Sequence, residues 1–338
     1  MKKQLAVKMN AVQSEREEWI DIARGILMIL VVIGHSGKNH YEVTTIGYYI
    51  YQFHMPAFFI ISGILYKPLK DDETVLSRII KISKRFLIPY FCYIFALSIP
   101  DWFQMLQSHA WNSFAESLLN LLYGGRHLAG YDGDLWFITS LFFAEILFLL
   151  IDSFAHNVKN KILLVFLCYM IAHIHAWYFH DAIFPWSLEI SFFAVAFYAF
   201  GFYCKKIIIN KDVFPCTTIL SIITLILLRL KIQVFMLELW AHYYTNFYLD
   251  FIIPVIISIS LFNLCKLMEG KFLSKFFADL GKYTFAILAL HIYVNMLFSS
   301  VIGPYGSICF IVVGVLAPYL IAKFIFKRFR LLKMLFIG

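Results

Sequence analysis

Stretches of roughly twenty apolar residues recur along nearly the whole chain, separated by short basic segments. They fall at about 19–36, 46–66, 86–106, 135–155, 161–179, 185–204, 213–231, 246–268, 283–302 and 305–326. Crossing the ~30 Å hydrocarbon core of a bilayer takes about 20 helical residues. Inside lipid every backbone N–H and C=O must be bonded within the protein. The pattern predicts an all-α polytopic membrane protein with about ten transmembrane helices. Hydrophobic residues make up 61% of the chain and charged residues only 15%, where a soluble domain carries about 25% charge.

The basic residues give the orientation. With the N-terminus placed in the cytoplasm, 24 of the 29 Lys and Arg residues fall on the cytoplasmic side. Lys38, Arg126, Arg229 and Lys231 fall outside, and Arg24 lies in the membrane. A bias this strong predicts both termini inside, because one miscounted span would swap the sides of everything after it. The formal charge of +8 is a topology signal, and no nucleic-acid partner is expected. The chain reads as one membrane domain, 1–338, opening on a cytoplasmic arm (1–18) with no cleavable leader. Six cysteines lie scattered through apolar segments without a C-x-x-C pair, so they read as packing residues. No metal-ligand spacing is visible, and no metal is expected.

Arg24 and His35 sit inside the first apolar run. Arg at a helix centre in lipid costs at least ~2.5–3.5 kcal/mol, so an ionisable group there is a functional candidate. Eleven residues at ~100° each make three turns plus ~20°, which places both side chains on one stripe about 16 Å apart. Asp21 lies on the same stripe. Further along, His54, Asp134, Glu189 and Asp250 all fall in the outer half of their helices. Glu145 and His291 read as a deeper pair, and Lys81, Lys84 and Arg85 stand at the inner mouth of the third helix.

These residues carry a resemblance. Ile20-Asp21-x-x-Arg24-Gly25 followed by His35 is similar to the first-helix signature of the acyltransferase 3 family. So is the next helix, Tyr51-Gln-Phe-His54-Met-Pro56-Ala-Phe-Phe-Ile-Ile-Ser62-Gly63. Lys84-Arg-Phe-Leu-Ile-Pro89-Tyr90, Leu135-Trp136-Phe137 and Leu280-Gly-Lys-Tyr-Thr-Phe-Ala-Ile-Leu-Ala-Leu-His291 resemble later family segments. Within the family the chain most resembles short bacterial sugar O-acetylases, including fucose 4-O-acetylases. The resemblance implies transfer of acetyl from cytoplasmic acetyl-CoA to a hydroxyl of a cell-envelope glycan or lipid-linked sugar, in the bacterial inner membrane. Some relatives add an esterase-like C-terminal domain. None follows here, so the membrane domain is expected to act alone or with a separate periplasmic or glycan-assembly protein. The family's Arg-x-x-Arg is replaced by Lys81-x-x-Lys84 and Arg85, a weaker match for forked phosphate contacts.

A sugar hydroxyl is a poor nucleophile at neutral pH and needs a base with a pKa like that of imidazole. His35 is the first candidate, as base or as a transiently acylated nucleophile, with Arg24, His54 and Glu189 as further catalytic groups. Arg24, Lys81, Lys84 and Arg85 are candidates for holding CoA. Asp134, Trp136, Glu145 and His291 are candidates for the acceptor. Each has a purely structural counterpart: an Arg24–Asp21 pair, a helix-end His35, a Pro56 kink beside His54, inter-helix hydrogen bonds for Glu145, Glu189 and His291, and topology alone for the basic loop. Proton-coupled transport of a glycolipid or small solute is the alternative function, although no paired broken helices recur in the two halves. A sensor or scaffold would have little reason to bury the Arg–His stripe.

Overall fold

In a computed structural model of the chain, residues 17–37, 45–128, 130–230 and 236–337 are described. Most of the N-terminal arm, with Lys38 and Lys231, lies outside them. The fold is helical: α1 (Glu18–Gly34), α2 (Thr45–Tyr51), α3 (His54–Leu65), α4 (Val75–Gln107), α5 (Trp111–Tyr123), α6 (Trp136–Phe154), α7 (Val158–Tyr178) and α8 (Leu188–Tyr203). After a four-residue turn, α9 (Lys205–Ile208), come α10 (Phe214–Arg229), α11 (Leu249–Met268), α12 (Phe272–Leu280), α13 (Thr284–Ile302), α14 (Ser307–Leu320) and α15 (Arg330–Phe336). A two-stranded antiparallel hairpin, β1 (Leu237–Glu238) and β2 (Tyr243–Tyr244), interrupts them before α11.

Among the described residues, eight helical stretches are long and apolar enough to cross a membrane. The first two apolar runs differ from the rest. The first forms a helix of only 17 residues. The second is broken at Gln52–Phe53 into α2 and α3. The third is longer than its apolar core: α4 runs 33 residues and takes in half of the segment read as a basic loop, so Lys81, Lys84 and Arg85 ride on its first turns. Thr74 caps it, its side chain accepting from the Ser77 N–H.

Polar groups gather at the two ends of the bundle. At one end Lys205 meets Glu17 at 2.8 Å, the Trp19 N–H donates to Glu269, Ser274 donates to Glu18, and Lys323 meets Asp279 at 2.7 Å. At the other, Ser307 donates to the Ser36 carbonyl and Trp177 to the Tyr244 carbonyl. Successive long helices therefore run in opposite senses. Asp279 lies in the connection between α11 and α13. Burial pushes its carboxyl up, but hydrogen bonds from Lys323 and Tyr319 pull it down to about 2.

The centre is α3 against α8. Gly63 and Gly201 put the two backbones in contact: a Cβ on Gly63 would lie 1.9 Å from the Tyr198 carbonyl oxygen, and one on Gly201 2.1 Å from that of Ile60. Such small-residue contacts are how helices approach closely in lipid, where burial of apolar surface gives little drive. Outward, α7 and α10 expose Ile162, Leu163, Phe166, Ile219 and Ile222, which is what a lipid-facing surface requires.

Candidate active site

α1 ends at Gly34, and His35 caps it, its N–H bonding back to the Val31 carbonyl while the Ser36 N–H bonds that of Ile33. The position of Tyr51 explains the glycine, since a Cβ on Gly34 would lie 2.6 Å from the Tyr51 ring. α2 thus brings Tyr51 over the end of α1. Its ring lies 6.0 Å from that of His35 and 5.5 Å from that of His54 at the start of α3. On the other side of His35, at 5.3 Å, lies the ring of His291, in the second turn of α13.

Asp134 joins the two histidines. It sits in the 3-10 turn Gly130–Leu135 that feeds α6. His35 Nε2 is 3.3 Å from its Oδ1, and His291 Nε2 is 3.2 Å from its Oδ2. His291 is fully buried, and its Nδ1 lies 2.9 Å from the Leu288 carbonyl and 3.1 Å from that of Ile287. A carbonyl only accepts, so Nδ1 carries the proton. Nε2 then needs a second proton, or a proton on Asp134, to make a favourable contact with the carboxyl. His54 Nδ1 likewise donates to the Ile50 carbonyl at 2.8 Å, leaving Nε2 as its lone-pair nitrogen. The donor atoms of His35, Asp134 and His291 all lie within 4.8 Å of one another, a spacing that would also admit a cation.

Except for His291, buried behind Asp134, these groups line a cavity of about 540 Å³, large enough for a small-molecule substrate. His35, His54, Asp134 and Trp136 lie on its wall, as do Tyr51 and Tyr131. Its roof comes from two loops: Arg126, His127 and Leu128 before α6, and Glu238, Leu239 and Trp240 of the hairpin. Glu189 does not line it but backs Arg126, with Oε1 3.5 Å from Nη1. Asp250 pairs with His173 at 3.4 Å, away from His35. Buried His242, in a left-handed turn of the hairpin, is pushed down to about 3 by burial and by Arg126, with His175, His180 and His173 adding to the effect.

The remaining sequence candidates lie elsewhere. Arg24 is half-buried on α1, where its neighbour Gly25 packs on the Phe277 carbonyl of α12, and it is not on the cavity wall. Glu145 and His291 are not a pair: Glu145 faces Arg85 at 2.5 Å, while His291 faces Asp134. Lys81 meets Glu73 at 2.8 Å, Glu73 also pairs with Arg78, and Lys84 is exposed. Hydrogen bonds from Arg78 and Lys81 hold the Glu73 carboxyl down at about 2.

Sequence reasoning passed over Arg126, Tyr131, Glu238 and Trp240. Two signals pointed to them. Arg126 is one of few basic residues on the sparsely charged side. Leu-Glu-Leu-Trp at 237–240 alternates as a short strand does.

The description Acyltransferase domain names the family that matches residues 17–326. No curated protein and no solved structure matches the chain. The match spans nearly the whole fold and takes in α1 and α3, which bring His35 and His54 to one cavity, and α13, whose His291 backs Asp134 on its wall: the chain is a membrane-embedded member of the acyltransferase 3 family.

Proposed function

We propose that the chain moves an acetyl group from acetyl-CoA on the cytosolic face to a hydroxyl of a cell-envelope sugar held in the His35 cavity. The single observation that carries this is Asp134 set between His35 and His291 on the wall of that cavity. A carboxylate on one imidazole nitrogen fixes the ring and leaves the other nitrogen as base. His35 Nδ1 takes the acceptor hydroxyl's proton as its oxygen attacks the thioester carbonyl. The tetrahedral adduct collapses, the C–S bond breaks, and CoA thiolate leaves with the proton held by His35. Arg24, three turns deeper on α1, is assigned to the pantetheine arm or thioester oxygen, and Lys81, Lys84 and Arg85 to the CoA phosphates.

The membrane arrangement belongs to the same reading. α1 and the α2–α3 pair add two crossings to the eight long helices, giving ten, with both termini in the cytoplasm of a bacterial inner membrane. Lys205, Lys266, Lys282 and Lys323 lie at the Glu17 end, which supports that end as cytosolic. The domain acts alone or beside a separate glycan-assembly protein.

Membranes containing the protein should pass radiolabel from acetyl-CoA to envelope glycan, and His35→Ala should abolish the transfer. Label that never leaves acetyl-CoA would overturn the proposal. Movement of a sugar across the membrane without acetylation would favour transport.

A further inference from the structure

We infer that Glu238 and Trp240 form the acceptor-sugar subsite of the cavity and restrict it to uncharged sugars. This rests on the cavity being the acceptor site. Glu238 and Trp240 line the cavity together with Leu239, while Leu237, at 1% exposure, lies in the core and off the wall. The strand is held from behind. Trp177 Nε1 donates to the Tyr244 carbonyl at 2.6 Å, His180 Nε2 lies 3.0 Å from the Ala241 carbonyl, and the Tyr244 ring stacks on Phe193 at 4.2 Å. Neither wall residue is used by the acyl-transfer chemistry.

Their chemistry is complementary to a sugar ring. Among the described residues Glu238 makes no ion pair and no side-chain hydrogen bond, and burial alone acts on its carboxyl, pushing it up. Water can donate to such a half-buried acceptor, and a ligand that displaces that water has to replace its donors. Neighbouring sugar hydroxyls are such donors, and two can bind one carboxylate. Two residues along, the Trp240 indole is 49% exposed and offers a flat apolar face beside it. Charge sets the selectivity. The one guanidinium on the wall, Arg126, is opposed by Glu189, and Asp134 is engaged by His35 and His291, which leaves Glu238 as the uncommitted charge facing the space. A ring bearing carboxylate or phosphate would meet the Glu238 carboxyl and no uncommitted guanidinium or ammonium on that wall.

The test uses full-length protein in phosphatidylcholine nanodiscs, without acyl-CoA, since sugar-based detergents would compete. The probes are methyl glycosides of common neutral hexoses and 6-deoxyhexoses, each hexose paired with its uronic acid, read by tryptophan fluorescence and by saturation-transfer NMR. At least one neutral glycoside should bind, with its uronate at least tenfold weaker. Glu238→Gln should weaken the neutral ligand tenfold or more and narrow the gap to the uronate. Trp240→Ala should weaken it about tenfold, with Trp240→Phe retaining most of the affinity. Tighter binding of the uronates, no binding of any glycoside, or unchanged affinities in both Glu238→Gln and Trp240→Ala would each overturn the inference. The wild-type neutral-to-uronate comparison decides it even if a variant fails to fold. Because binding is read without the acyl donor, loss of acetyl transfer leaves it standing. Transfer to a non-sugar acceptor with no glycoside bound would refute it while sparing acyl transfer.

Discussion

His291 turns its unprotonated nitrogen toward Asp134. With Nδ1 committed to the Leu288 carbonyl, Nε2 faces Oδ2 at 3.2 Å, and two lone pairs oppose each other unless one more proton is shared between the residues. The His35–Asp134–His291 set is thus built to hold one proton more than its neutral, ionised count. That is the store a base needs when it has to accept a proton and return it within one turnover.

Asp134→Asn should therefore lower kcat by about 10²–10⁴, as loss of a base-orienting carboxylate does, with little change in the KM for acetyl-CoA. His291→Ala should fall in the same direction but less far, since His35 keeps its carboxylate. Chelation with EDTA should leave the rate unchanged if a proton, not a cation, bridges the cluster. Loss of activity on chelation, restored by a divalent metal, would reassign these groups as ligands.

Gly63→Ala should destabilise the fold by about 1–3 kcal/mol, the usual range for overpacking, because its Cβ would sit 1.9 Å from the Tyr198 carbonyl oxygen. Gly270→Ala, where a Cβ meets nothing within 4 Å but φ is +73°, should cost only the local backbone strain. Thermal unfolding in nanodiscs separates the two.

On the basic face, Arg85→Ala should raise the KM for acetyl-CoA several-fold and make it less sensitive to salt, with Lys84→Ala smaller. Exposed charges act weakly and are screened, and the Arg85 side chain is 54% exposed. Acetyl-dephospho-CoA, lacking the 3′-phosphate, should respond less to both changes. Equal effects on the two donors would remove these residues from CoA binding.

The hairpin should loosen in acid. His242 is held down to about 3 in the fold, against 6.5 ordinarily. The unfolded or undocked state thus binds a proton that the docked state refuses. Stability is unaffected above pH 6.5 and declines as pH falls from there toward 3, by about 2 kcal/mol at pH 5. Amide hydrogen exchange across residues 236–245, followed from pH 7.5 to 5, should accelerate, and His242→Gln should flatten that dependence.

Orientation is checked with single cysteines in an otherwise cysteine-free chain. Lys275→Cys should react with membrane-impermeant maleimide only in inverted vesicles, and Asp181→Cys only in intact spheroplasts. The reverse pattern would place the His35 cavity on the cytosolic side.

Helix positions were legible because lipid imposes a length and a polarity on every crossing. The exceptions have local causes. The second run is as apolar as the others, yet Pro56 has no N–H to offer the Gln52 carbonyl and the helix breaks at Gln52–Phe53, which a hydropathy pattern does not register. His35 and His54 could be read from their helices, because an imidazole in an apolar run is conspicuous. Their partners could not. Asp134 and His291 lie about 100 and 256 residues downstream of His35 in the sequence and meet it only through packing, and the expected Glu145–His291 pair fails because Arg85 claims Glu145. Glu238 and Trp240 lay in a connection between two apolar runs, where the brief Leu-Glu-Leu-Trp alternation was the one signal.

The hairpin has two residues per strand and no core of its own, so its shape is borrowed from α7 and α8 through Trp177, His180 and Phe193. Whatever tilts the Trp177 end of α7 will also move the cavity roof. A small molecule or a lipid wedged against that end would thereby act as a remote inhibitor, altering which acceptors are accommodated without ever competing for their place.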